Sequence, residues 1–147
     1  MATSTHEEIT IGQLKIRPRV EPGESGGSGA IHEFDVPAGA GLPLAHSHDA
    51  YEETIYGLFG TVTFTIEGTP TDIGPGEAVC IPRGAVHSFA NSGEVDATAL
   101  AIVTPGILGA DYFREVAAIV DAAAGGPPDL AAIGEVTRRH GLTPVQG

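Results

Sequence analysis

The sequence has one cysteine in 147 residues, no tryptophan, and seven basic side chains against nineteen acidic ones, for a net charge of −12. A lone cysteine, Cys80, makes no intrachain disulfide, so there is no disulfide scaffold and a reducing compartment is expected. Arg83 is the one basic residue between positions 20 and 113. No Lys/Arg stripe therefore exists to neutralise a nucleic-acid backbone or to hold an anionic membrane surface, and neither is an expected partner. No apolar run reaches the ~18 residues of a membrane span, and Met1 to Glu8 has neither a basic n-region nor an apolar h-region. These absences predict a cytoplasmic protein that its acidic surplus keeps in solution. The length predicts one domain over 1–147, long enough to bury roughly 68–70% of its unfolded surface.

What is present is a period-two pattern. From Ile9 to Val103 short runs rich in Val, Ile, Thr and Phe alternate with polar residues, and Gly or Pro interrupts them at short intervals. The pattern predicts an all-β sandwich or barrel over about residues 9–104. Val62, Phe64 and Ile66 share one face and read as core. Ile9, Ile11, Leu14 and Ile16 form another apolar set, compatible with a strand shared across an interface. After Pro105 the period becomes helical: Phe113, Val116 and Val120 make one stripe, ended by Gly125-Gly-Pro-Pro128. Asp129 is a candidate N-cap for a second helix carrying Leu130, Ile133 and Val136, stopped by Gly141 with Pro144 beyond. These two helices, about residues 109–141, are expected as a tail packed on the outside of the sheets. Glu21 to Ala30 is polar and Gly-rich and reads as a mobile connection between strands, with a lid as the lesser reading. It lacks the Gly-Lys-Ser/Thr of a phosphate loop.

His46 and His48 stand at i and i+2, projecting from one face of a strand roughly 6.5–7 Å apart. Two such imidazoles can share a metal or sit as hydrogen-bonded core residues. Glu52 and Glu53 follow at once, and His87 lies in the further turn-flanked stretch from Pro82 to Asn91. Three histidines and one carboxylate are thus available to one site. Tyr51, Tyr56, Phe59, Phe64 and Phe89 flank them and offer an apolar cavity lining, with core packing preferred for Phe64. Cys80, inside a strand without a cationic neighbour, reads as a buried inert thiol. His6, His32 and His140 read as surface or helix-end residues. Arg83 reads as a turn residue, with contact to a substrate carboxylate or phenolate as the lesser reading. Gly60 and Gly84 are expected at positive φ or at close backbone approach, and Pro82 presets the turn before His87.

The stretch His46-Ser-His48-Asp-Ala-Tyr-Glu-Glu53 through Gly60 resembles the first motif of the cupin superfamily: His-X-His, three or four residues, Glu, six residues, Gly. Gly76 through Pro82, Gly84, His87 and Asn91 meets every required position of the second motif. Fifteen residues separate Gly60 from Gly76, similar to the short spacing of small single-domain cupins. The family often has a glycine six positions before the first histidine, where this chain has Ala40 between Gly39 and Gly41. The resemblance implies an antiparallel double-sheet β-barrel of jelly-roll type with a short C-terminal helical tail. It also implies one divalent transition metal, Fe, Ni, Mn, Co, Cu or Zn, held by His46, His48, His87 and a glutamate. The six-residue gap to Gly60 selects Glu53 as that ligand and leaves Glu52 as a solvated rim carboxylate.

By resemblance, the leading functional expectation is a quercetinase-like dioxygenase acting on a small apolar or aromatic substrate, with Glu53 also the catalytic base. A cupin lyase or isomerase, and a noncatalytic ligand-binding or sensing module, stand as alternatives. The resemblance further implies a homodimer. Neutral imidazoles are needed for metal binding, so occupancy is expected to fall below about pH 6.5.

Overall fold

In the computed structural model, residues 7–42 and 44–145 are described; His6 lies outside them. In chain order the strands are β1 (Ile9–Ile11), β2 (Leu14–Val20), β3 (Ala30–Val36), β4 (His46–His48), β5 (Glu52–Phe59), β6 (Val62–Ile66), β7 (Thr69–Ile73), β8 (Ala78–Ile81), β9 (His87–Ala90) and β10 (Ala97–Thr104). Helices α1 (Ala110–Ala122) and α2 (Leu130–Arg139) and a last strand, β11 (Leu142–Pro144), follow. The strands form two antiparallel sheets, ordered β1-β2-β3-β10-β5-β8 and β11-β4-β9-β6-β7, in the double-sheet arrangement of a jelly roll.

The expected barrel does not close. Edge strand β1 of one sheet and edge strand β11 of the other share no ladder, because the helices occupy the opening between them. α1 packs on β1, α2 packs on β11, and the helices pack on each other. They are therefore a wall across the open side of the sandwich, not a tail on its outside.

Alternation fixes what each strand turns inward. Along β10, Ala97, Ala99, Ala101 and Val103 are buried while their neighbours are not. These small inward residues at the middle of the six-stranded sheet leave room for rings: Phe34, Phe64 and Phe89 meet with centroids 5.2 to 6.4 Å apart. Ile9, Ile11, Leu14 and Ile16 are all buried within their own chain. The outer face of β2 and β3 carries charge, with the Arg17 guanidinium bidentate to Asp35 at 2.6 and 2.7 Å.

The Gly-rich stretch carries local structure of its own. Pro22–Ser25 forms a 3-10 turn, Ser25 Oγ donates to the Gly29 carbonyl at 2.6 Å, and the Glu21 carboxylate accepts the Ala110 N–H at 3.2 Å. Gly109 has no side chain to cap α1, and an acid at a helix N-terminus meets both the free N–H and the helix dipole. Asp129 caps α2 as expected, accepting from Ala132 N–H at 3.0 Å. Gly141, at φ 84°, reverses the chain after α2 into β11, which the sequence pattern did not reveal. No helix among the described residues is long and apolar enough to cross a membrane.

Gly60 and Gly84 take positive φ, 63° and 78°. A Cβ at Gly60 would also stand 2.4 Å from the Asp96 carbonyl oxygen, whereas one at Gly76, φ 81°, would meet nothing within 4 Å. Gly76→Ala is expected to cost the ~1–2 kcal/mol of a left-handed alanine, and Gly60→Ala at least twice that, by urea unfolding. Equal costs would show that the backbone at 96–97 yields.

Candidate metal centre

His46 and His48 both turn inward from β4, and β9 sets His87 directly opposite His46. The three rings gather with centroids 4.6 to 5.2 Å apart. One nitrogen from each lies within 4.8 Å of the others, a group that could hold a metal ion. Glu53 reaches the same place from β5 in the facing sheet, its Oε1 3.9 Å from His87 Nε2. Alternation on β5 separates the two acids: Glu53 shares the inner face with Ile55, while Glu52 sits at the rim and pairs with Arg83. Arg83 is thereby engaged with a surface carboxylate and does not line the cavity.

Neighbouring groups hold the imidazoles in place. His87 Nδ1–H donates to the Ala85 carbonyl at 3.0 Å, which leaves Nε2 with its lone pair for the centre. His46 is hydrogen-bonded to the Leu44 backbone, and Tyr51 stacks on His48 at 4.6 Å. Asn91, buried, donates to the carbonyls of Val36 and Val95 at 2.9 and 2.7 Å and accepts from Gly93 N–H. Its part is to fix the turn after β9.

Burial, reinforced by their mutual repulsion, lowers His46 to about 3 and His48 to about 2. Burial also lowers His87, and it raises Glu53 to about 7. The histidines are thus neutral donors. His48 Nδ1 and the Tyr51 hydroxyl are buried without a hydrogen-bond partner among the described residues, a condition that costs ~1–3 kcal/mol per group. Three neutral imidazoles beside one carboxylate fit a divalent transition metal, and the donor types do not choose among Fe, Ni, Mn, Co, Cu and Zn.

An apolar cavity of about 70 Å³ opens from this cluster. Phe89 lines it as expected, Phe64 both packs in the core and lines it, and the helices add Tyr112, Phe113 and Ile133. Tyr56 and Phe59, however, are 41% and 59% exposed on the outside, and Tyr51 is packed behind His48. Cys80 is exposed, not buried, because the edge strand β8 turns Ile81 inward and so turns its neighbour out. His32 is not a surface residue: it is buried and lines the cavity. The period-two parity it shares with Ala30, Phe34 and Val36 was the available signal. His140 caps α2 and pairs with Glu115, a helix-end position as expected. Tyr112, Phe113 and Leu142 were missed because their roles depend on where the helices dock.

The Cupin_2 cupin domain matches residues 19–103, more than half of the chain. The chain belongs to this family. Among solved structures, this cupin is similar to a predicted oxalate decarboxylase from Thermotoga maritima (TM-score 0.62, 20% identity, 71% of this chain and 99% of that one). It is similar also to the polyketide cyclase RemF from Streptomyces resistomycificus (TM-score 0.59, 20% identity, 80% and 96%). A third is KdgF from Halomonas sp. (TM-score 0.58, 18% identity, 68% and 88%). At these identities the likeness concerns the fold. No curated protein matches the sequence significantly. Helices α1 and α2 and strand β11 lie outside the matched domain.

The buried histidines make the metal-free protein acid-labile. His32, lowered to about 4, His46, His48 and His87 take up protons below about pH 6.5 only when unfolded, so each removes stability as pH falls. Glu53, protonated in the folded state below about 7, works the other way. The lowered histidines outnumber the one raised carboxylate, so the balance is a loss of stability as pH falls below about 6.5. Urea unfolding of the metal-free chain should show the midpoint collapsing between pH 6 and 4. A midpoint flat over that range would contradict the buried neutral histidines.

Proposed function

We propose that this cupin is a metal-dependent enzyme acting on a small organic substrate, with quercetinase-like dioxygenase chemistry. In this reading His46, His48, His87 and Glu53 hold one divalent transition metal. The observation that carries it is the convergence of three neutral imidazoles and one carboxylate, drawn from opposite sheets, at the end of an apolar cavity. When bound, the metal polarises a substrate oxygen as a Lewis acid and, where redox active, engages dioxygen. The chain's own residues do the rest. Glu53, which reaches the cluster from the facing sheet with Oε1 3.9 Å from His87 Nε2, is the group placed to accept a proton from a carbon beside a carbonyl or enol. The apolar walls keep water from the reacting centre, and Tyr51 holds the His48 ring against rotation. Structures similar to this one carry names as different as polyketide cyclase and sugar phosphate isomerase, so the fold does not select the reaction. The apolar lining supports a substrate with an apolar body.

Elemental analysis of untagged protein purified without chelator should find about one transition metal per chain, absent in His48→Ala and weakened in Glu53→Gln. Oxygen uptake with enolisable substrates should accompany the metal. A chain that holds no metal and takes none up when offered would overturn the enzyme and favour the noncatalytic ligand-binding module. The proton balance offers a second check. The histidines are already neutral, so the proton that competes with metal at pH 6 sits on Glu53 rather than on an imidazole. Calorimetry in buffers of different ionisation enthalpy should show wild type releasing about one proton on metal binding at pH 6 and Glu53→Gln releasing almost none. Equal release would remove Glu53 from the ligand set.

A further inference from the structure

The cavity has a second polar group outside the cluster, near enough for its charge to be felt at His48. His32 stands on the inner face of β3, 6% exposed, and lines the cavity. Phe113 meets its ring edge-on at 4.8 Å and Phe34 flanks it at 6.0 Å, which fixes the plane of the imidazole. Neither ring nitrogen has a hydrogen-bond partner among the described residues. The other polar lining groups are engaged: Thr137 donates to the Ile133 carbonyl at 2.7 Å, and the Tyr112 hydroxyl lies 3.5 Å from Thr137 Oγ1. Strand register places the two groups. His32 is opposite Ala101 on β10, and Val103, two residues further along β10, is opposite Glu53 on β5. Two strand spacings and a two-residue offset separate the Cα atoms of His32 and Glu53 by about 12 Å, with Ala101 and Val103 of β10 on the inner face between them.

We infer that His32 anchors the far end of the substrate, so that the cavity selects a compact, uncharged molecule with an apolar body and an oxygen at each end. One oxygen faces the cluster, and the other, a hydroxyl or carbonyl, hydrogen-bonds to His32. The placement of the first oxygen rests on the proposed metal site; the role of His32 does not. The modest size follows from the cavity, about 70 Å³, which has room for several waters and hence for a small molecule. The lack of charge follows from the lining, which contains no Lys or Arg, and from burial, which keeps His32 neutral with its affinity for protons lowered to about 4. A neutral imidazole offers one donor and one acceptor, and a carboxylate or phosphate at that end would lose its water without gaining a cation.

NMR titration of the full chain with 4-hydroxybutan-2-one and with pentan-2-one, which replaces the hydroxyl by a methyl at nearly equal size, tests the anchor. Wild type should bind the hydroxyketone about 3- to 10-fold more tightly. His32→Phe should lose that preference, and His32→Gln, which keeps a donor and an acceptor, should retain part of it. The His32 ring resonances of wild type should shift with the hydroxyketone and much less with the ketone, a readout independent of any variant's folding. Equal affinities and equal shifts in wild type, or a preference that survives in His32→Phe, would overturn the inference, as would malonate binding that depends on His32. Metal content measured in parallel separates this inference from the enzyme reading. A chain without metal that keeps a His32-dependent preference refutes the enzyme and upholds the anchor. Loss of metal in His32→Phe would instead make His32 part of the metal centre and overturn the anchor.

Discussion

The two sheets are held face to face by apolar packing alone on their open side, because β1 and β11 share no hydrogen bonds. A jelly roll left open there would expose the row of Ile11, Leu14 and Ile16 on one edge and Leu142 on the other. Docking α1 on β1 and α2 on β11 buries that row and completes the core. The same docking fixes the size and chemistry of the cavity, because Tyr112, Phe113 and Ile133 are its outer wall. The dimensions of the site are therefore set by segments outside the matched domain, while its donors are set by segments within it.

The donors gain their character from where the sheets put them. Strands β4 and β9 hold three buried imidazoles together, and β5 adds a carboxylate from the facing sheet. Burial discourages charge on all four groups, pushing the histidines toward neutrality and Glu53 toward protonation. A centre built this way is poor at holding protons on its nitrogens and well disposed to a divalent cation, whose charge would relieve the carboxylate's desolvation.

The double-sheet fold, both helices and the Asp129 cap were legible in the sequence because each has a local cause: a period, a breaker, or a capping residue. Strand parity puts His46 and His48 on one face in the same way, whereas the choice of Glu53 over Glu52 came from the motif spacing to Gly60. What escaped was decided by distant contacts. The strand β11 is only three residues long and contains a proline, so nothing local marks it; it exists because it pairs with the histidine strand, Leu142 opposite His48 and Pro144 opposite His46. Cys80 was misplaced because β8 is an edge strand with one buried face, and Tyr56 and Phe59 because an aromatic residue in a strand has no local mark of which face is covered. His32 had the parity of a core residue, but its polarity outweighed that parity in the sequence reading.

The separation between ladders and wall gives the molecule two tiers of stability. The central strands β3, β10 and β5 are bound on both sides and cannot open without global unfolding. The wall is tied to the rest by side-chain packing, by the Glu21 cap on α1 and by the short β11 ladder. Lifting it away costs only those contacts and leaves both sheets hydrogen-bonded, so the wall is the segment whose local opening is cheapest. Opening there would widen the cavity without breaching either sheet, because Tyr112, Phe113 and Ile133 belong to its lining.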